Sequence, residues 1–311
     1  MASASWSDSR PRFAVLLVAY GSPRNLDEVA PYLHDVRGGR PTPPEVVEEL
    51  RHRYAAIGGG SPLQSRTESQ ARSLAGTLNG TPVYVGMRHW HPYIADVMDR
   101  IRSDGHEKIV AIPMAPHYSH LSIGAYQNAI EAARRNAAVR MVQQWFDHPA
   151  FLDAVAARVR EGLEHFSPES RDRVALVFSA HSLPQRILAQ GDPYPDQLRA
   201  SVDGVMARLG RSEARIAYQS AGRTNEPWLG PDAALVLHQL AAAGRRDVLL
   251  CPIGFVSDHL EVLYDVDIEL KALAGTLDLN LQRTESLNDS PLLIAALAGL
   301  VRDAAAAAGW V

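Results

Sequence analysis

Unbroken apolar runs, rather than alternating ones, punctuate the chain. "FAVLLVAYGSP" (Phe13–Pro23) and "VALVFSAHSLP" (Val174–Pro184) each end such a run in small and polar residues. A strand that is apolar along its whole length suits a parallel sheet covered on both faces. A second pair repeats the theme: "KIVAIPMAPHYSHLS" (Lys108–Ser122) and "DVLLCPIGFVSDHLE" (Asp247–Glu261). Both carry a proline and lead to Ser-His-Leu or Asp-His-Leu. Tyr20 in the first half therefore matches His181 in the second, and His120 matches His259.

Helical patterns lie between the strands, such as "DVMDRIRSDG" and "ALVLHQLAAAG". In "PAFLDAVAARVREGLEHF", Phe151, Val155, Val159 and Leu163 recur at i, i+4 spacing, which predicts an amphipathic helix bridging the halves. Strands alternating with helices, twice over, predict two similar doubly wound, Rossmann-like α/β domains with parallel sheets. The polar, turn-like "FSPESRDR" sets the boundary near residues 165–172, giving domains at 13–168 and 169–311. The C-terminal "SPLLIAALAGLVRDAAAAAGW" reads as one helix with a short break, able to pack on either domain. Residues 1–12, rich in serine, read as a disordered tail.

Composition mainly excludes. The 311 residues are 46% hydrophobic and 21% charged, ordinary globular values with room for two domains. A net charge of -4 gives no footprint for nucleic acid. The single cysteine, Cys251, excludes an intrachain disulfide, a Cys₄ zinc site and a four-cysteine iron–sulfur cluster, and packing is its expected role. There is no signal-peptide pattern, and no apolar run reaches the roughly 20 residues that span a bilayer. A cytoplasmic protein is expected.

Ligands in such folds bind at the carboxyl ends of strands, often between domains. Tyr20, His117, His120, His181, His259 and Glu261 all fall at predicted strand ends. Taken singly, a histidine there is as often a hydrogen-bonded structural residue. "SAHSLP" is not G-x-S-x-G, so a hydrolase elbow is absent. The "GGGS" stretch, Gly58–Ser61, offers an anion cradle but no Walker A, and no G-x-G-x-x-G follows the first strand. Glu261, Asp265 and Glu269 stand at i, i+4, i+8, one face of a helix. That face reads either as a solvated acidic surface or as a carboxylate ladder for cations or protons, since like charges raise carboxyl pKa values. Arg37, Arg40, Arg51, Arg53 and Arg88 cluster in the first half and suit carboxylate or phosphate. Trp90, Tyr93 and Trp228 are core residues or the walls of a flat pocket.

Together the stretches "LLVAYGSP", "RYAAIGGGSPL", "SAHSLP", "GDPYPDQL", "YQSAGRTNEPWLGPD" and "PIGFVSDHLEVLYDVDIE" resemble the ferrochelatases. They keep the family order from about residue 13 to 300. The resemblance is greatest to the soluble, monomeric bacterial enzymes that act on coproporphyrin III. It implies insertion of ferrous iron into a porphyrin with release of two protons. By resemblance, His181 and Glu261 face each other across the porphyrin, and Tyr20 approaches the metal from the opposite face. Asp265 and Glu269 continue a metal or proton relay. Arg37, Arg40, Ser61, Arg88 and Tyr126 surround the propionates, with Arg88 where lysine is commoner and Gly38 where a second arginine is frequent. Trp228 supports His181. The resemblance also implies no tightly bound cofactor, no iron–sulfur cluster, and transient contact with a coproheme decarboxylase. The alternatives are a protoporphyrin IX enzyme, a cobalt or nickel chelatase, and a porphyrin or haem carrier, which needs a ring pocket but no proton relay.

Overall fold

The computed structural model describes residues 13–222 and 224–311. The expected N-terminal tail lies outside the described residues. Among the described residues eight strands make two sheets of four. The first holds β1 (Ala14–Ala19), β2 (Val83–Met87), β3 (Lys108–Pro113) and β4 (Ala138–Met141) in the order β2-β1-β3-β4. The second holds β5 (Ala175–His181), β6 (Arg215–Gln219), β7 (Asp247–Cys251) and β8 (Asn280–Arg283) in the order β6-β5-β7-β8. Every pairing is parallel, and the two orders are equivalent.

The unbroken apolar runs follow from this burial. In β1, Ala14, Leu16 and Val18 pack into one layer with Ile94, Val97, Met98 and Ile101, while Val15 and Leu17 face the other with Leu74 and Phe151. Side chains alternate between faces, but both faces are covered, so no polar position remains. β5 behaves likewise, with Val177 in one layer and Leu176 and Phe178 in the other. The two expected helical patterns form helices Ile94–Ser103 and Ala233–Ala242.

Two helices cross between the halves. Helix Pro149–Leu163 packs on helix Tyr194–Leu209 and on β7 of the second sheet. The C-terminal helix Pro291–Ala307 returns to the first sheet, against helix Leu63–Thr77, β3 and β4, and also touches Pro149–Leu163. It runs without the expected break, and the Ser290 hydroxyl accepts the Leu293 N–H at its start. The resulting apolar core is continuous across both halves. No helix of the described residues is long and apolar enough to cross a membrane.

Candidate active site

His181 is the last residue of β5, and the surrounding backbone is tied down on three sides. Tyr194 donates its hydroxyl to the His181 carbonyl at 2.9 Å. Gln219, at the end of neighbouring β6, accepts from Ser179 at 2.7 Å and donates to the Glu261 carbonyl at 2.7 Å. This buried amide links the strand of His181 to the helix start that carries Glu261. Behind it, Gly254 lies so close that a Cβ there would meet the Ala180 Cβ at 2.6 Å. The outcome is a His181 Nδ1–Glu261 Oε2 separation of 2.7 Å. A carboxylate at Nδ1 selects the tautomer with hydrogen there, and among the described residues Nε2 has no hydrogen-bond partner.

The pair is electrostatically coupled. Burial pushes the His181 pKa down, but the charge and hydrogen bond of Glu261 outweigh it, so His181 titrates above the ordinary imidazole value. Burial pushes Glu261 up, yet His181, His259 and the Ser220 hydroxyl hold it well below the usual carboxylate range. His259 lies beside them with Nδ1 at 3.0 Å from the Ser257 carbonyl, and burial lowers its pKa.

The acidic residues beyond Glu261 do not sit on a regular α-helix. A turn at Leu260–Leu263 passes into a π-helical segment, Asp265–Leu270, then into Lys271–Thr276. There the Glu269 N–H reaches the Tyr264 carbonyl five residues back, at 3.0 Å, which widens the spacing expected of an α-helix. Asp265 and Glu269 nevertheless share a side, because Arg53 faces both, at 3.4 Å and 3.6 Å. Arg53 also stacks on Tyr264, 5.0 Å from the ring centroid. Ser220, held in the left-handed region at φ 59°, donates to Asp265 and also reaches Glu261. Asp265 is pushed up to about 6 by burial, against the Ser220 hydrogen bond and with help from the Glu261 charge. His181, Glu261, Ser220 and Asp265 thus form one row of polar and acidic groups, which Arg53 extends to Glu269. Sequence reading grouped Arg53 with the ligand-facing arginines; the structure pairs it with this row. Ser220 carried no sequence signal.

The first half supplies the facing wall. Tyr20 follows β1 and is 41% exposed. Burial of the phenol raises its pKa against the opposing charge of Arg88, and the Glu261 charge adds to the rise, so both halves act on one space. Arg88 donates once, to the Leu121 carbonyl at 3.3 Å, leaving other guanidinium hydrogens free among the described residues. Tyr126 is buried nearby; burial raises its pKa, and Tyr20 and Arg88 both act on it.

Other expected residues are placed differently. Arg37 is half-buried, and its Nε has no partner among the described residues; Arg40 is exposed and donates to the Arg37 carbonyl at 2.9 Å. Ser61 is buried and accepts from the Leu63 N–H at 3.2 Å, starting a helix. The glycines before it serve the turn, since a Cβ on Gly60 would lie 2.0 Å from the Arg24 carbonyl oxygen. Trp228 packs on Gly222, donates to Thr224 at 2.9 Å and bridges to Pro184, so it braces the loop after His181 rather than touching the imidazole. Trp90 is buried and donates to Glu28 at 2.7 Å, a core residue. His117 is buried against Ser201 at 2.9 Å, and burial pushes its pKa down to about 3. His120 pairs with the buried Asp192. These two histidines join the halves structurally. Cys251 is buried in β7.

The strand ends of the two halves thus carry an imidazole–carboxylate pair, an acidic row, a phenol and an unsaturated guanidinium, joined across the halves by Arg53. Among the described residues no three His, Cys, Asp or Glu side chains converge as a closed metal site. His181 and Glu261 offer nitrogen and oxygen donors of a type that suits a passing divalent ion of borderline softness.

The ferrochelatase family profile matches residues 12–305. A ferrochelatase of Herpetosiphon aurantiacus is 47% identical over 290 residues, covering 90% of this chain and 95% of its own. A coproporphyrin III ferrochelatase of Geobacillus kaustophilus is 40% identical over 297 residues, covering 92% and 94%. Among solved structures, SirB from Bacillus subtilis with Fe3+ superposes with TM-score 0.61 at 13% identity, covering 95% of this chain and 96% of its own, a likeness of fold. The doubly wound architecture, the match along nearly the whole chain and the identity to full-length relatives agree: the chain belongs to the ferrochelatase family.

Proposed function

We propose that this enzyme inserts ferrous iron into coproporphyrin III, giving iron-coproporphyrin and two protons. The observation that carries the reading is the 2.7 Å His181–Glu261 pair, continued by Ser220 to an Asp265 whose pKa lies at about 6. Two pyrrole protons must leave as the metal enters. His181, relieved of its own proton, takes each pyrrole proton on the imidazole. Glu261 is too acidic to retain it and passes it on, through the Ser220 contact, to Asp265. A carboxyl titrating near neutrality both accepts and releases a proton there. Fe²⁺ touches His181 and Glu261 only before the pyrrole protons leave, and Tyr20 meets it on the other side of the ring. Its phenol stays protonated until a metal displaces the proton, because burial raises its pKa.

The preference for a ring with four carboxylates rests on two supports. Six relatives at 36–40% identity carry the name coproporphyrin III ferrochelatase. The first half also offers spare donors: the free hydrogens of Arg88, the unpartnered Arg37 Nε and the exposed Arg40. We assign the domains to 13–168 and 169–311, since each sheet is complete within its half. The net charge of -4 supports our view that nucleic acid is not a partner. We take the enzyme as a cytoplasmic monomer that passes its product to a decarboxylase by transient contact.

The test is anaerobic Fe²⁺ insertion into coproporphyrin III and protoporphyrin IX, by wild type and His181→Ala. Faster, His181-dependent turnover of coproporphyrin III is expected. Equal or faster use of protoporphyrin IX overturns the substrate. Tight binding of both rings without insertion overturns the reaction in favour of a carrier.

A further inference from the structure

Tyr20 enters the cleft without a hydrogen bond of its own: among the described residues its hydroxyl has no partner. What orients it is His89. The His89 backbone N–H donates to the Tyr20 carbonyl at 2.8 Å, and the two rings pack with centroids 4.7 Å apart and planes inclined by 51°. His89 is held in turn from behind. Its Nδ1 lies 2.8 Å from Asp35 Oδ1, and the second carboxylate oxygen of Asp35 accepts the Tyr93 hydroxyl at 3.1 Å. Asp35 stands at the end of helix Val29–Val36, one turn of chain before the arginine-bearing loop.

We propose that Asp35 is a positioning residue for Tyr20, acting through His89. The inference rests on the reading of Tyr20 as the residue that meets the metal. The carboxylate spans two anchors, so its own position is fixed by Tyr93, and it fixes the imidazole in plane and tautomer. A ring held in this way presents one flat surface to the Tyr20 phenol. A phenol with no hydrogen bond of its own keeps its rotamer only while that surface stays in place. A group that must meet a metal entering the ring works best when its supporting shell is locked beforehand. Among the described residues Asp35 makes no hydrogen bond to Tyr20 and reaches it directly only through its charge.

The experiment uses full-length protein labelled with 3-fluorotyrosine, with the Tyr20 signal assigned from its loss in Tyr20→Phe. Asp35→Leu removes both anchors; Asp35→Asn keeps a carbonyl acceptor of the same shape. The expected result is a shifted or broadened Tyr20 fluorine resonance in Asp35→Leu and a return toward wild type in Asp35→Asn. Metal insertion is then measured in both backgrounds. Asp35→Leu should lower kcat about tenfold with KM unchanged, the loss of roughly one hydrogen-bonded linkage, and should cost nothing further in Tyr20→Phe. An unmoved Tyr20 resonance overturns the proposal, as does an equal loss of kcat in both backgrounds. A moved resonance with a Tyr20→Phe enzyme as fast as wild type keeps the positioning and removes the metal-facing role of Tyr20. If Asp35→Leu does not fold, Tyr93→Phe removes one anchor and is read by the same resonance.

Discussion

Replacing Glu261 by Gln keeps the shape of the partner of His181 and removes its charge. The amide oxygen can still accept from Nδ1, so the loss is the charge assistance of a 2.7 Å bond. Hydrogen bonds to charged groups are worth about 1.5–3 kcal/mol and neutral ones about 0.5–1.5 kcal/mol. The two side chains are 35% and 31% exposed, and water screens them. About 1 kcal/mol is therefore the share to expect, at the low end of that difference. Losing that share moves the midpoint of the imidazole down. The direction follows because Glu261 is what holds His181 above its ordinary value. The assay is Zn²⁺ insertion followed by porphyrin fluorescence across neutral pH, beside the ¹⁵N shift of His181. Wild-type turnover should climb with pH as the pair sheds its proton, with a midpoint belonging to the pair as a whole. The Glu261→Gln profile should be displaced to lower pH. A midpoint that stays put, or moves up, would falsify the coupling.

The same shifts set a stability window. His181 is raised in the folded state, so its contribution is complete below about 6.5 and fades as pH rises through the folded value. Glu261 is depressed, so its contribution is present above about 4.5 and fades as pH falls through the folded value. The difference in urea midpoint between wild type and Glu261→Gln should therefore shift furthest toward wild type between those limits and decline above them.

Ser220→Ala removes the hydroxyl that lowers the Asp265 pKa, so Asp265 should titrate still higher. The stability cost should be about 1.5 kcal/mol at alkaline pH, where Asp265 is ionised, and smaller below pH 6; chemical unfolding at two pH values reads it, and equal costs would refute the contact. Gly60→Ala sets a Cβ 2.0 Å from backbone oxygen, which no side-chain movement relieves, and should cost about 3 kcal/mol or more. Gly76→Ala, with open space around it in helix Leu63–Thr77, is the control and should stabilise by about 0.5 kcal/mol. Thermal melts that rank the two glycine variants the other way would reject the packing argument.

Much of the fold was legible because burial on both faces of a parallel strand leaves a local mark. The run at β1 is apolar throughout, and those at β3, β5 and β7 carry unbroken apolar stretches, Ile109–Pro113, Ala175–Phe178 and Val248–Cys251. The runs marked His181 and Glu261 only as two of six polar residues at strand ends; that they face each other was implied by the resemblance to the ferrochelatases. Periodicity also carried helices Ile94–Ser103 and Ala233–Ala242. It misjudged the acidic segment, because i, i+4 spacing does not reveal a backbone that widens to i, i+5 bonds between Asp265 and Leu270.

What tertiary structure alone decided is partnership across long separations. Arg53 meets Asp265 over 212 residues, Ser220 meets Asp265 over 45, and His89 meets Asp35 over 54. No local pattern marks such residues, since a hydrogen bond depends on where two elements come to rest and not on either element's period. The sequence by itself determined two parallel α/β halves and the strand ends at which chemistry collects, and its resemblance to the ferrochelatases singled out His181 and Glu261 among the residues there. The packing of the halves decided which arginine serves the acidic row, which serine joins its carboxylates, and which aspartate stands behind Tyr20. Those choices are made when separate surfaces are buried together, where an unpaired polar group is costly.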